Sequence, residues 1–271
     1  METRIVSFCN QKGGVGKTTT TALVAYNLAK EGYRVLVIDF DPQSNMTSMM
    51  LKTMSQESDD VVTIDNTLMT AIKNNENLNR ATIKILDNLY LIPNAVDFSL
   101  YGRFLEANFS NEREKIHFLS RKINNELRGE YDYIFIDVPP TMSLPNDSVF
   151  YACDDIIVIL QTQQYALDGA QTLIDYIQNT IIDYFDSDVD VIGVLPVLST
   201  RRSSVDKSIL KKAEDKWGEN VFQNHIMVME RAKRMGVTGI TDSPSDNWDQ
   251  ITHEKYKAVA DEMVKKIKEN E

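Results

Sequence analysis

The stretch FCNQKGGVGKTTTT, residues 8–21, places three glycines, two lysines and four threonines directly after a short apolar run. Glycines let backbone N–H groups close on phosphate oxygens, and a helix starting near Lys17 adds the positive end of its dipole. In this reading Gly13, Gly14, Val15 and Gly16 form a cradle, with Lys12, Lys17, Thr18 and Thr19 around it. Lys17 reaches the β- and γ-phosphates and the Thr18 hydroxyl ligates Mg²⁺. The strict pattern G-x-x-x-x-G-K-[ST] needs a glycine at position 11, where Gln11 stands, followed by a second lysine, Lys12. Two acidic segments follow other apolar runs. Asp137 ends YIFID, where a carboxylate can hold Mg²⁺ through water. Asp39 and Asp41 end VIDFD, and Asp41 is placed to orient an attacking water. One of this pair can instead cap a helix over 44–52.

These residues act together only if the elements carrying them converge. Apolar runs alternate with helical stretches, as in a doubly wound α/β fold: a mostly parallel sheet with helices on both faces. Strands are predicted at 4–9, 34–40, 89–95, 131–140, 155–162, 190–198 and 225–229. Helices are predicted at 18–31, 111–128, 167–184, 204–217 and 252–268. The loop, Asp39, Asp41 and Asp137 then lie at carboxyl strand ends, the binding edge of such sheets. The polar segment 46–80 reads as a helical insert or a mobile surface region, with Met46, Met49, Met50 and Met54 as adaptable core filler. No linker or repeat interrupts the chain, so one doubly wound domain with a P-loop is expected over 1–271.

Composition narrows the alternatives. The chain has 271 residues, 42% of them hydrophobic, enough for a large core. Its net charge of −11 gives no global attraction to nucleic acid or acidic membranes, so such binding needs a local patch. Cys9 and Cys153 are the only cysteines, and His117, His225 and His253 have no metal-ligand spacing. No signal core or run of about 18 apolar residues occurs, which points to a cytosolic protein.

KGGVGKTT, VLVIDFDPQSN and YDYIFIDVPPT together resemble the ParA/MinD family of deviant Walker-type ATPases, whose loop begins with a signature lysine, here Lys12. LYLIPNA and DIIVILQTQQYALDGAQTL extend the resemblance over most of residues 1–200. It implies ATP and Mg²⁺ as cofactors, Lys17 on the phosphates, Thr18 on the metal, Asp39 and Asp137 in the metal's shell, and Asp41 in hydrolysis. It also implies an ATP-dependent sandwich homodimer, in which Lys12 contacts the partner's nucleotide. DPQSN is like the plasmid and chromosome partition branch. That branch implies non-specific double-stranded DNA binding, a ParB-like centromere-bound partner that stimulates slow hydrolysis, and a cytoplasmic, nucleoid-associated location. The loop is reached by residue 12, so no N-terminal helix-turn-helix domain is expected. Ser143 stands where the family commonly has glycine.

A MinD-like membrane-cycling regulator is the alternative. It would end in a basic amphipathic helix, whereas VADEMVKKIKENE mixes Glu262, Glu269 and Glu271 with its lysines, so no membrane partner is expected. Val259, Met263, Val264 and Ile267 read more simply as a helix packed on the core. A metabolic or cluster-assembly P-loop enzyme is a third reading, and the cysteine positions argue against a bridging iron cluster.

Residues 201–235 hold nine basic residues against five acidic ones, leaving −15 for the rest of the chain. Lys207, Lys211 and Lys212, with Arg231, Lys233 and Arg234, are the candidate DNA contacts; Arg201, Arg202 and Lys216 complete the basic count. Lys207 and Lys211 lie opposite an apolar stripe of Val205, Ile209, Ala213 and Trp217.

Overall fold

A computed structural model describes residues 2–56, 64–163, 165–199 and 203–270. Eight strands form one sheet: β1 (Arg4–Cys9), β2 (Val35–Asp39), β3 (Ile83–Leu86), β4 (Leu89–Ile92), β5 (Tyr133–Asp137), β6 (Asp155–Gln161), β7 (Asp190–Ser199) and β8 (Ile226–Met227). Their order is β3-β4-β2-β5-β1-β6-β7-β8, and all neighbours are parallel except β3 with β4. β2 and β5 are buried at every position, which is why their sequences are continuous apolar runs without alternation.

Helices cover both faces. Against one face lie α1 (Lys17–Lys30), α2 (Asn45–Met54), α9 (Glu230–Thr238) and α10 (Asn247–Asn270). Against the other lie α3 (Leu68–Lys73), α4 (Tyr101–Asn108), α5 (Glu112–Glu126), α6 (Leu144–Ala152), α7 (Ala166–Tyr176) and α8 (Ser204–Trp217). Met46, Met49 and Met50 are fully buried beneath α2. Val259, Met263 and Ile267 of α10 are buried as well, so the apolar face of this helix is spent on the core. Among the described residues no helix is long and apolar enough to cross a membrane.

Several expectations change. Residues 46–80 contain two helices, α2 and α3, and the start of a 3-10 turn at Leu78–Ala81; positions 57–63 lie outside the described residues. The strand expected over 89–95 stops at Ile92, because Pro93 has no N–H for the ladder. The strand expected over 225–229 shrinks to two residues. β3, α4, α6 and α9 were not expected. α7 passes into a π-helical stretch at Ile177–Ile182. Val205 is 57% exposed and leaves the apolar stripe of α8, which rests on Ile209 and Ala213.

Candidate functional site

β2, β5 and β1 are adjacent in the sheet, so their carboxyl ends bring three loops together. After β1, Gly14 (φ 73°) and Gly16 (φ 91°) adopt left-handed backbone, which a Cβ would strain. Their conformation turns the chain sharply into α1, whose first residue is Lys17. Neither site has a heavy atom near its would-be Cβ, so the cradle is open on that side. Val15 is buried and anchors the loop from below. Lys17 is 6% exposed, and its Nζ donates to the Lys12 carbonyl at 3.3 Å. Burial lowers the Lys17 pKa, while Asp137, Cys9 and Asp41 pull it back up. Thr18 and Thr19 are half-buried on the first turn of α1.

Asp39 and Asp137 are register partners on neighbouring strands. Both are fully buried. No hydrogen bond of normal geometry reaches either Asp137 carboxylate oxygen. Burial, then the neighbouring Asp39, pushes the Asp137 pKa to about 8, against the pull of Thr18 and Lys17. Burial also raises Asp39, to about 6, although Thr47 and the Asp41 amide stabilise its charged form. Two carboxyls with unspent acceptor capacity beside a hydroxyl suit a small hard cation that keeps several waters and shares phosphate oxygens. Among the described residues no group of three His, Cys, Asp or Glu side chains is arranged to hold a metal without such help.

The role of Asp39 has a second part. Its Oδ2 accepts from Thr47 N at 2.8 Å and Thr47 Oγ1 at 2.7 Å, so it satisfies the first turn of α2. The helix-capping alternative is thus realised by Asp39. Ser44, the N-cap residue, makes no side-chain cap bond. Asp41 lies two residues beyond the strand, half-exposed, and its Oδ1 accepts from Gln43 N at 2.9 Å. Its charge still acts on Lys17 and Asp137, so it shares their crevice.

Four positioning residues escaped the sequence reading. Thr47 is one. Asn94, buried after β4, donates from its backbone N to Thr47 Oγ1 at 2.8 Å and from Nδ2 to the Asp41 carbonyl at 3.1 Å. Asn146 Nδ2 donates to the Pro139 and Thr141 carbonyls and shapes the turn after β5. Asn10 accepts from Lys12 N at 2.6 Å and ties the loop to β6 by donating to the Ile159 carbonyl. The available signal was an Asn within a few residues of a strand's carboxyl end or at the start of the following helix. Ser143, the N-cap residue of α6, is in extended backbone (φ −162°), with Pro145 in the first turn, so no glycine is needed there.

Lys12 is exposed, and its Nζ donates to Gln163 Oε1 in the loop between β6 and α7. The two lysines thus sit differently: Lys17 is buried with its Nζ on the Lys12 carbonyl, whereas Lys12 reaches out to this loop. Next to the loop Tyr165 holds left-handed backbone (φ 67°) and is 76% exposed. Met142, 41% exposed, accepts from Gln11 Nε2 across the same rim. Exposed Tyr165 and Met142 therefore stand on the same rim as the second lysine.

The basic candidates divide. Lys207, Lys211 and Lys212 all stand exposed on α8, and Arg234 is exposed on α9. Lys233 is exposed and pairs with Glu230 at 2.8 Å. Arg231 is withdrawn from the set of free cations: it binds Asp246 at 2.9 Å, Asp249, and the Thr241 hydroxyl. Arg201 and Arg202 lie outside the described residues.

Residues 3–191 match the AAA_31 family, described as an AAA domain. Soj of Bacillus subtilis, a sporulation initiation inhibitor protein, is 30% identical over 226 residues, covering 82% of this chain and 83% of its own. The chromosome partitioning protein ParA of Myxococcus xanthus is 29% identical over 266 residues, covering 97% and 88%. The fold matches cobyrinic acid a,c-diamide synthase of Mycobacterium smegmatis, solved with an ATP analog and magnesium (TM-score 0.76, 23% identity, 99% and 97% coverage). The chain belongs to the ParA/Soj family of partition-type P-loop ATPases.

Proposed function

We propose that this chain is a DNA-segregation ATPase that binds Mg-ATP, closes into a sandwich homodimer and then holds duplex DNA without sequence preference. Gly13 to Thr19 cradle the phosphates with backbone amides, and Lys17 neutralises their charge. Thr18, Asp137 and Asp39 hold the Mg²⁺, which supplies charge neutralisation at the transferring phosphoryl group. Asp41 orients the attacking water. Hydrolysis is slow until a ParB-like centromere-bound partner orders this segment.

The observation that carries the reading is the separation of the two lysines. Lys17 is buried within the loop, where the charges of Asp137 and Asp41 act on it, whereas Lys12 is exposed and reaches Gln163 beside the exposed Tyr165. A second lysine exposed on the rim that carries Tyr165 and Met142 suits contact with a nucleotide held by another copy. Lys207, Lys211 and Lys212 on α8, with Arg234 on α9, supply the DNA surface, which dimerisation doubles. An acidic chain can bind DNA this way because phosphate attraction is local at ordinary salt.

Sedimentation velocity with Mg-ATP tests the reading. The wild type should run as a dimer with ATP and as a monomer with ADP. A monomer in both states would refute the two-subunit site, and ATP-dependent binding to lipid vesicles in place of DNA would assign the protein to the membrane-cycling branch.

A further inference from the structure

Helix α2 is fastened at both ends by buried threonines. At its first turn, Thr47 Oγ1 donates to Asp39 Oδ2 at 2.7 Å and accepts from Asn94 N at 2.8 Å. At its last turn, Thr53 Oγ1 donates to the Met49 carbonyl at 2.9 Å and accepts from Ile240 N, just past α9, at 2.8 Å. Gln56 Nε2 adds a bond to the Thr238 carbonyl at 2.8 Å. Between them, Gly239 presses backbone on backbone. A Cβ there would lie 2.6 Å from the Lys52 carbonyl carbon and 2.6 Å from Thr53 N. No flexible side chain intervenes to absorb a shift.

We infer that α2 is a rigid coupling element that carries a displacement of the Asp39–Asp41 segment to α9 and its cationic face, with Thr47 and Thr53 as positioning residues at its two ends. The inference rests on nucleotide binding as proposed above and needs no assumption about DNA. Thr47 and Thr53 are six residues apart, a rise of about 9 Å, too short a helix to bend away the motion. Met46, Met49 and Met50 of α2 and Met235 of α9 share one close-packed core, which favours discrete repacking over gradual deformation. On its other side α9 is clamped to α10 through Arg231, Asp246 and Asp249. A shift of α2 therefore tilts α9 against a fixed partner and re-aims Lys233 and Arg234.

The drive comes from competition for Asp39. Its Oδ2 is committed to Thr47 and its Oδ1 accepts from Asp41 N at 3.1 Å. A cation brought to this crevice competes for the same oxygens, so the Thr47 end of α2 must answer. A ligand shifts a conformational balance only through such differential contacts.

Hydrogen exchange of the amides of residues 230–240, with and without Mg and a non-hydrolysable ATP analogue, tests the coupling without DNA. In the wild type the analogue should change their exchange by about 10-fold. Thr53→Val should abolish that response, Thr53→Ser should keep it, and both should bind the analogue within about 2-fold of wild type by calorimetry. Analogue binding with no response at α9 in the wild type overturns the coupling alone, even if the valine variant fails to fold. An unchanged response in a folded Thr53→Val also overturns it. A wild type that binds no analogue removes the proposed function and the coupling with it.

Discussion

The substitution Asp137→Asn should make the nucleotide-free protein's stability less sensitive to pH. Asp137 is fully buried, and no hydrogen bond of normal geometry reaches its carboxylate oxygens. Its pKa rises from 3.8 to about 8 in the folded chain. Between these values the folded protein keeps a proton that the unfolded chain has lost. Its contribution is therefore full below about pH 4 and is lost as pH climbs through 8. At about 1.4 kcal/mol per tenfold change in proton affinity, the ceiling of the effect is about 6 kcal/mol. Water entering the open crevice relieves part of that cost, leaving an expected change of about 2–3 kcal/mol between about pH 5 and about pH 8.5. The amide introduced by Asp137→Asn carries its own burial cost, but an amide does not titrate, so that cost does not vary with pH. Urea unfolding without nucleotide should show the variant gaining on the wild type by that amount as pH rises. A gap constant to within about 0.5 kcal/mol across the range would refute the account of a carboxylate whose burial outweighs its partners. The same variant should lose the stabilisation that Mg-ATP gives the wild type.

Lys17→Ala removes the buried ammonium from the cradle and should weaken ATP binding by about 100-fold in a calorimetric titration. Asp41→Ala should keep ATP binding and the dimer while single-turnover hydrolysis falls by about 100-fold; unchanged turnover would take Asp41 out of its role. Lys12→Ala should bind ATP within about 2-fold of wild type yet weaken the ATP-dependent dimer by at least about 10-fold in sedimentation equilibrium.

The phosphate loop and the strand YIFID were legible because each is set by local rules. Glycines before a helix and a continuous apolar run need no distant partner to be recognised. Asp39 was legible as the carboxyl end of an apolar strand, but its bond to Thr47 depends on how α2 folds back, which no spacing states. Asn94 and Gln163 were hidden for the same reason: they meet Asp41 and Lys12 from strands far along the chain. β3 was missed because its strand IKIL is short, carries an exposed lysine and sits at an edge. The pairing of Arg231 was hidden because its carboxylate partners, Asp246 and Asp249, lie on and just before α10, beyond the basic stretch 201–235.

The central claim is an ATP-switched grip on DNA, and fluorescence anisotropy of a labelled duplex measures it directly. With Mg-ATP and Asp41→Ala protein to block turnover, the duplex should bind at about 50 mM salt and lose about 100- to 1000-fold in affinity by about 200 mM. With ADP it should stay free. Binding that ignores the nucleotide, binding that ignores salt, or no binding at all would contradict the account.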